Sequence, residues 1–119
     1  MKIIICGGRD FNNEDLMVDS INQLLNELGL IESQITIISG MAKGADLMAY
    51  ELALHNGIKT ICMPADWDKY GKSAGFKRNL QMLNHADYVL AFWDGLSKGT
   101  AHTITEAGKR DIPVKVINY

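Results

Sequence analysis

The stretch Lys2-Ile3-Ile4-Ile5-Cys6-Gly7-Gly8-Arg9-Asp10-Phe11 organises the rest of the chain. Its run of apolar, mostly β-branched residues indicates a strand buried on both faces. Two glycines follow directly, and glycine lets the chain turn sharply while a ligand approaches the backbone closely. A helical pattern begins soon afterwards, which is the order in which a Rossmann-like sheet presents backbone N–H groups to a phosphate. The dinucleotide spacing Gly-x-Gly-x-x-Gly is absent, so a purely structural turn remains the alternative.

Composition and length set the broad class. The chain has 119 residues, 47% of them apolar and 22% charged, which predicts a single globular domain over residues 1–119. The formal net charge of −2 argues against wide, nonspecific contact with duplex DNA. Both cysteines, Cys6 and Cys62, lie in apolar strand-like runs and are predicted to be buried free thiols. No signal peptide and no membrane-spanning run is found, so we expect a cytoplasmic protein without a membrane partner.

Hydrophobic periodicity predicts five strands alternating with four helices. The predicted strands are Ile3–Cys6, Ile35–Ile38, Thr60–Met63, Tyr88–Trp93 and Val114–Ile117. The predicted helices are Glu14–Leu28, Ala45–Asn56, Ser73–Asn84 and Thr100–Lys109, with one long irregular stretch at Ala65–Lys72. Such alternation is typical of an α/β protein: a Rossmann-like, three-layer domain whose five-stranded parallel sheet carries helices on both faces. We predict the strand order 3-2-1-4-5, with the switch point between the first and fourth strands.

Ligands in open α/β sheets bind at the carboxyl ends of the strands, at the switch point. Four segments are predicted to converge there: Gly7–Asp10, Ser39–Asp46, the Asp66–Tyr70 loop with the helix that it leads into, and Asp94–Thr103. Glycine and hydroxyl residues cluster in all but the third, which offers aromatic residues followed by lysine, arginine and asparagine. The sequence therefore predicts a binding site for an anionic ligand at this edge.

The segment Ser39–Asp46 carries the strongest local pattern. Gly40 and Gly44 allow a loop to fold back before the helix, so that Ser39 and freed N–H groups can donate to a phosphate. Lys43 can neutralise charge, although no Walker A sequence is present. Asp46 can cap the helix, bind a ribose hydroxyl or hold a metal ion, and capping is the commonest of these roles.

Residues of the other segments complete the predicted site. Gly99-Thr100 opens a helix whose N-terminus favours anions, and Thr103 either donates a hydroxyl there or bonds back to its own helix. Arg9 and Arg78 are candidate clamps for phosphate or carboxylate, with solvated surface arginines as the alternative. Trp67 and Tyr70 can stack on a base or pack the loop down.

The predicted ligand-binding residues are Gly7, Gly8, Arg9, Asp10, Ser39, Gly40, Lys43, Gly44, Asp46, Trp67, Tyr70, Arg78, Asn79, Asp94, Gly99, Thr100 and Thr103. No catalytic residue is assigned. No cofactor is required by the pattern; several aspartates near the strand ends leave Mg²⁺ open, although no ligand spacing demands it.

Together these motifs resemble the SLOG superfamily of Rossmann-like domains. The run Ser39-Gly40-Met41-Ala42-Lys43-Gly44-Ala45-Asp46 is similar to the SGxAxGxD helix opening of Smf/DprA proteins. The segment Phe76-Lys77-Arg78-Asn79 resembles their Phe-Pro-x-Arg-Asn segment, and Gly95–Thr100 resembles their Ser-Gly-Ser-rich turn. The opening Gly-Gly-Arg-Asp-Phe and the Pro64-Ala65-Asp66-Trp67 loop are most similar to the small stand-alone YspA-like branch.

The resemblance implies a pocket for a nucleotide or a nucleotide-derived ligand, such as a phosphorylated nucleoside or an ADP-ribose-like molecule. The first alternative is a LOG-like hydrolase that cleaves nucleoside 5′-monophosphates. The LOG signature Pro-Gly-Gly-x-Gly-Thr-x-x-Glu is incomplete here, because Thr103 stands where that pattern has Glu and Glu106 lies one turn further along. The second alternative is a DprA-like factor that binds single-stranded DNA. The resemblance also makes a homodimer or homotetramer plausible.

Overall fold

The computed structural model describes residues 1–119 and contains one five-stranded parallel sheet with the strand order β3-β2-β1-β4-β5. Its strands are β1 (Lys2–Gly7), β2 (Thr36–Ser39), β3 (Lys59–Cys62), β4 (Tyr88–Trp93) and β5 (Val114–Asn118). Strand β1 pairs with β2 on one side and with β4 on the other, so the switch point lies between β1 and β4. The predicted fold class and strand order are confirmed.

Helices cover both faces of the sheet. They are α1 (Glu14–Leu28), α2 (Ala45–His55), α3 (Trp67–Tyr70), α4 (Ala74–Leu83) and α5 (Lys98–Lys109), with 3₁₀ turns at Glu32–Gln34 and Gly71–Ser73. Residues of α1 and α2 pack with Ile3, Ile5 and Phe92 in one core cluster. Residues of α4 and α5 pack with Ile4 and Val89 in a second cluster on the opposite face. None of the helices combines the length and the apolar character needed to span a bilayer.

Local capping explains why α1 has the bounds that the sequence predicts. Asn13 is the N-cap, and its Oδ1 accepts a hydrogen bond from the Leu16 N–H at 3.0 Å. Gly29 follows the helix with φ 67°, a left-handed conformation in which glycine has no steric penalty. Both ends are therefore set by residues within the segment itself.

Two predictions about the segment around β3 are wrong. The stretch Ala65–Lys72 is not irregular, because it contains α3 and the start of a 3₁₀ turn. The Asp66 carboxylate caps α3 by accepting from the Lys69 N–H at 3.1 Å, a local interaction that the sequence analysis overlooked. Cys62 is exposed rather than buried, because β3 is an edge strand. Cys6 is buried on central strand β1, as predicted.

Close packing, rather than ligand approach, explains Gly7. A Cβ atom on Gly7 would lie 2.4 Å from the Phe92 carbonyl oxygen and 2.8 Å from the Ala45 Cβ. The glycine therefore lets the end of β1 contact both β4 and the start of α2, which brings three strand-end segments together beside the switch point.

Candidate functional site

A cleft of 470 Å³ lies at the carboxyl edge of the sheet, at the switch point. All but six of the predicted site residues line it: Gly7, Gly8, Arg9, Asp10, Asp46, Trp67, Arg78, Asn79, Asp94, Gly99 and Thr100. Its size lies in the range of small-molecule sites, about 300–1,000 Å³. Segments distant in sequence thus meet at one rim.

No two charged side chains of the cleft form an ion pair, although the charges of Asp46 and Arg78 act on each other at longer range. Arg9, Lys72 and Arg78 line it together with Asp10, Asp46 and Asp94. The ion pairs of the protein lie elsewhere: Glu106 with Lys109 and Arg110, and Glu27 with Lys115. Charges of both signs are therefore presented to the cleft without an ionic partner within 4.0 Å.

Asp46 and Arg78 lie close to each other, on either side of Gly40. The Asp46 side chain is only 4% exposed, and burial raises its pKa to about 6, although the Arg78 charge and the Gly7 and Ala42 amides oppose this. Burial also lowers the pKa of the Arg78 guanidinium. A Cβ on Gly40 would lie 2.5 Å from Arg78 Nη1 and 2.6 Å from Asp46 Oδ2, so no larger residue fits unless these groups move.

Hydrogen bonds hold the Arg78 side chain in place. Nη1 donates to the Gly40 carbonyl, and Nε donates to Asn79 Oδ1 at 2.9 Å. Asn79 Nδ2 in turn lies 3.3 Å from the Gly99 carbonyl oxygen and 3.3 Å from His102 Nδ1. These contacts tie the end of β2 to α4 and α5, while Arg78 Nη2 has no hydrogen-bond partner in the protein.

Asp10 and Asp94 line the cleft near the C-terminal residue Tyr119. The Tyr119 phenol donates to Asp10 Oδ1. The pKa of that phenol is raised by burial, by the hydrogen bond to Asp10 and by the charges of Asp10 and Asp94. Asp94 Oδ1 accepts from the N–H groups of Leu96 and Ser97, each at 2.8 Å, and these bonds lower the pKa of Asp94. One oxygen of each carboxylate therefore orients it, while the other has no hydrogen-bond partner in the protein.

Aromatic side chains border the cleft. Trp67 is 49% exposed and Phe76 is 46% exposed, and both line the cleft. The Phe76 ring packs on His102 with the ring centroids 4.5 Å apart. Phe76 and Lys72 are not among the predicted ligand-binding residues. The sequence signal for Phe76 is the Phe76-Lys77-Arg78-Asn79 segment, in which it precedes the site residue Arg78 by two positions. Lys72 directly follows the Asp66–Tyr70 loop and Gly71 in the third predicted segment.

Ser39, Gly40 and Gly44 of the Ser39–Asp46 segment do not line the cleft as expected. The Ser39 hydroxyl is buried, donates to the Asp46 carbonyl at 2.8 Å and accepts from the Met41 N–H at 3.1 Å, so it is not free for a ligand. Gly40 is covered by Arg78 and Asp46. Gly44, with φ 94°, packs so tightly that a Cβ there would lie 2.2 Å from the Gly8 carbonyl oxygen. The role of this loop is thus chiefly to bring α2 against the first turn.

Lys43, Tyr70 and Thr103 also lie outside the cleft. Lys43 is exposed beside it and lines neighbouring hollows. Tyr70 lines a separate hollow, with Lys77 Nζ 4.2 Å from its ring centroid. Thr103 is buried and its hydroxyl donates to the Gly99 carbonyl at 3.3 Å, which is the back-bonding alternative considered for it.

Two further expectations about local roles are corrected. Gly44, not Asp46, occupies the N-cap of α2, and Asp46 is the second residue of the helix, with its carboxyl near the Gly7 and Ala42 amides. The Gly8 N–H is not free for a phosphate, because it donates to the Phe92 carbonyl at 3.1 Å. No group of three or more His, Cys, Asp or Glu side chains is arranged to hold a metal ion, so the Mg²⁺ considered above has no site made of protein ligands alone.

The parallel sheet with a charged cleft at its switch point defines a Rossmann-like α/β protein with a candidate ligand site. The sequence model of the family described as YspA, cpYpsA-related SLOG matches residues 1–70. The chain therefore belongs to the YspA, cpYpsA-related SLOG family, and the predicted SLOG membership is confirmed.

Comparisons with individual proteins agree with this assignment. The chain is 35% identical over 124 residues to the Gene 61 protein of Mycobacterium phage D29, with 99% of this chain and 95% of that protein covered. Its fold is similar to that of DNA processing protein A (DprA) from Streptococcus pneumoniae, with a TM-score of 0.73 and 22% identity. The match covers 99% of this chain but 50% of DprA, so the chain spans about half the length of that protein. At this level of identity, the comparison with DprA shows a shared fold.

Proposed function

We propose that the cleft binds a nucleotide or a nucleotide-derived ligand, for sensing or processing. The observation that carries the proposal is the set of unpaired charges of both signs at the switch point. Charges left without an ionic partner in the protein are suited to a ligand that carries both an anionic group and hydrogen-bond donors. A nucleotide has both, together with a base that can stack on an aromatic side chain.

The phosphate belongs beside Arg9, Lys72 and Arg78. Arg9 and Arg78 are close enough for the charge of Arg9 to lower the pKa of Arg78, and an anion between them would relieve that repulsion. Arg78 retains Nη2 for this role, and guanidinium groups bind phosphate oxygens with well-defined geometry. Gly99, near the start of α5, adds the favourable end of a helix dipole at the same cleft.

The sugar and the base belong beside the remaining cleft residues. Asp10 and Asp94 each keep a carboxylate oxygen that can accept from a ribose hydroxyl. Trp67 and Phe76 present exposed ring surface on which a base can stack. All of these residues line the same cleft, so the proposal assigns them to one ligand.

Membership of the SLOG family and the fold shared with DprA support a broad nucleotide-related or DNA-processing role, without naming a ligand. The position of the cleft supports it independently, because ligands of open parallel sheets bind at the switch point.

The test is binding of AMP, GMP, CMP and UMP, measured by isothermal titration calorimetry. We expect at least one to bind the wild type, and the double variant Arg9→Ala, Lys72→Ala to bind it at least tenfold more weakly, because two phosphate-facing cations are lost. Neither side chain makes an ion pair or hydrogen bond within the protein, so the fold should be unaffected. The matched control is Lys59→Ala, an exposed lysine on edge strand β3. Equal affinity in the double variant and the control would refute the cleft as the site.

A DprA-like role in binding single-stranded DNA is a second candidate, favoured by the exposed aromatic residues Trp67 and Phe76 beside Lys72. Fluorescence anisotropy with a labelled single-stranded oligonucleotide distinguishes it. Affinity for DNA that falls steeply with salt and disappears in Trp67→Ala would favour this candidate.

Hydrolysis of nucleoside monophosphates is the alternative to binding alone. Glu106, the glutamate nearest to the LOG pattern, pairs with Arg110 at 3.0 Å and does not line the cleft. Chromatographic detection of free base released from AMP or CMP would show that the protein is an enzyme. Binding without release would support a sensor.

A further inference from the structure

A chain of hydrogen bonds runs from the cleft into the packing between α4 and α5. Arg78 Nε donates to Asn79 Oδ1 at 2.9 Å, and Asn79 Nδ2 lies 3.3 Å from His102 Nδ1. Asn79 is buried, so water does not replace a contact that its amide loses. His102 does not line the cleft, yet a single buried amide joins it to the cleft residue Arg78.

The two partners of the Asn79 amide decide the protonation state of His102. The Arg78 guanidinium can only donate, so the amide oxygen faces its Nε and the amide nitrogen faces His102. Because the amide nitrogen donates, His102 Nδ1 must accept, which it can do only without a proton. These contacts therefore require a neutral His102 whose proton lies on Nε2, the nitrogen 4.0 Å from Glu106 Oε1.

The surroundings of His102 keep it neutral to a lower pH than an ordinary histidine. Burial lowers its pKa; the Glu106 charge opposes this effect, and the charges of Lys109 and Arg110 add to it. These three charged residues lie on α5 or directly after it. Helix α4, which packs against α5, presents the uncharged Phe76 ring to His102, with the ring centroids 4.5 Å apart.

Protonation of His102 would place two donors against each other. The new proton on Nδ1 would point at Asn79 Nδ2, and the amide can accept it only by turning its oxygen toward the imidazole. The amide nitrogen would then face Arg78 Nε, which is also a donor. The Gly99 carbonyl, now 3.3 Å from Asn79 Nδ2, would keep the Thr103 hydroxyl as a donor. Arg78, the charged residue of α4 at the other end of the chain, would therefore lose the bond that fixes its Nε.

We propose that His102 is a positioning residue for Arg78 and makes anion binding in the cleft sensitive to pH. Neutral His102 holds the Asn79 amide in the orientation that fixes the guanidinium, and charged His102 releases it. This inference rests on the proposed function, because Arg78 is one of the cations assigned to the phosphate. The expected effect is opposite in sign to simple attraction, since a positive charge added near the cleft would by itself strengthen anion binding.

Calorimetry at pH 7.5 and pH 5 measures the effect, with whichever of AMP, GMP, CMP and UMP the wild type binds most tightly. The comparison is with His102→Asn, whose amide oxygen can replace Nδ1 as an acceptor and does not titrate. We expect affinities within twofold of each other at pH 7.5. At pH 5 the wild type should bind about fivefold more weakly than the variant, because a hydrogen bond to Arg78 is lost. Titration of the ligand phosphate and of Asp46 is common to both proteins and cancels in the ratio.

His85→Asn is the matched control, since His85 is an exposed histidine that does not line the cleft, and it should follow the wild type at both pH values. Wild-type affinity equal to or above that of His102→Asn at pH 5, with nucleotide bound at pH 7.5, would overturn this inference alone. If no nucleotide binds at pH 7.5, the proposed function fails and the pH-dependent binding fails with it.

Nuclear magnetic resonance of the ligand-free wild type tests the hydrogen-bond chain without any variant. We expect the proton of His102 on Nε2 at pH 7.5. The Arg78 Nε–H resonance should shift and exchange faster with solvent as His102 titrates. An Arg78 resonance that does not follow this titration, or a His102 that stays neutral down to pH 5, would overturn the inference.

Discussion

At the scale of single residues, the cleft depends on groups that are buried without being paired. Asp46 is nearly inaccessible, yet no cation lies within ion-pair distance of it. The cost of burying its charge appears as a pKa of about 6, well above the ordinary value of 3.8. The buried charge of Asp46 therefore destabilises the folded protein at neutral pH.

Asp46 should make the protein more stable as the pH falls. Between pH 4 and 6 the folded state holds a proton on Asp46 that the unfolded state has lost, so this group adds stability as the pH is lowered through that window and loses it as the pH rises. We expect wild type to gain about 2 kcal/mol relative to Asp46→Asn between pH 7.5 and pH 4.5. Urea unfolding of both proteins at the two pH values measures this. A constant difference in unfolding free energy would contradict it.

The comparison with Asp46→Asn is needed because three other carboxylates change the stability in the opposite direction as the pH falls. Hydrogen bonds and neighbouring lysine or arginine residues lower the pKa values of Glu27, Asp94 and Glu106. Their stabilising contribution is lost on acidification in wild type and variant alike, and it cancels in the difference.

At the scale of single elements, helix ends are set by residues close in sequence, and this is why the helix bounds were largely predictable. Asn13 and Gly29 bracket α1, and Ser97 caps α5 through the Thr100 N–H. The short helix α3 escaped prediction because its four residues are too few to show a helical period. Its signal was instead the capping residue Asp66, three positions before the amide that it binds.

Two glycine substitutions, one within a helix and one directly after a helix, separate backbone entropy from conformational strain. Gly108 lies within α5, and Gly29 follows α1 with φ 67°; a Cβ at either position would meet nothing within 4 Å. Gly108→Ala should stabilise the protein by about 0.5 kcal/mol, because alanine loses less backbone entropy in a helix. Gly29→Ala should destabilise it by about 1 kcal/mol, because the left-handed conformation strains a residue with a Cβ. Denaturant unfolding measures both, and a shift of the same sign in both variants would contradict this explanation.

At the scale of the whole molecule, the cleft is assembled by contacts between the two ends of the chain and its middle. The Tyr119 phenol reaches Asp10 and lies so near Gly8 that a Cβ there would be 1.8 Å from its oxygen. The Tyr119 ring also meets Phe11 edge-on, with the centroids 5.0 Å apart. The last residue thereby holds the first turn in position at the rim of the cleft.

Removal of this phenol should loosen the first turn. We expect Tyr119→Phe to destabilise the protein by about 1 kcal/mol, the usual contribution of a hydrogen bond, while the ring contact with Phe11 is kept. Tyr50→Phe is the matched control, since the Tyr50 hydroxyl makes no hydrogen bond within the protein. Thermal unfolding of the two variants measures the difference. Equal midpoints would show that the Tyr119–Asp10 bond is not needed for stability.

The four predicted segments meet at one cleft, as expected, but several of the predicted side chains do not reach it. Arg78 and Asp46 line the cleft, and both stand in motifs that follow strand and helix patterns. Ser39 and Thr103 were assigned to a ligand because their residue types suit a phosphate. Their hydroxyls instead bond to backbone carbonyls. The sequence could not show this, since a hydroxyl serves the backbone and a ligand equally well.

The sequence by itself determined the elements, their order along the chain and the edge of the sheet at which the four predicted segments meet. Periodicity, capping and parallel connections depend on residues near one another in the chain. Only the tertiary structure decided which groups remain available there. The Arg78 guanidinium is held by a carbonyl 38 residues away and the Asp10 carboxylate by a phenol 109 residues away. Such hydrogen bonds join residues that are close in space but distant in the sequence. No local sequence pattern therefore predicts them.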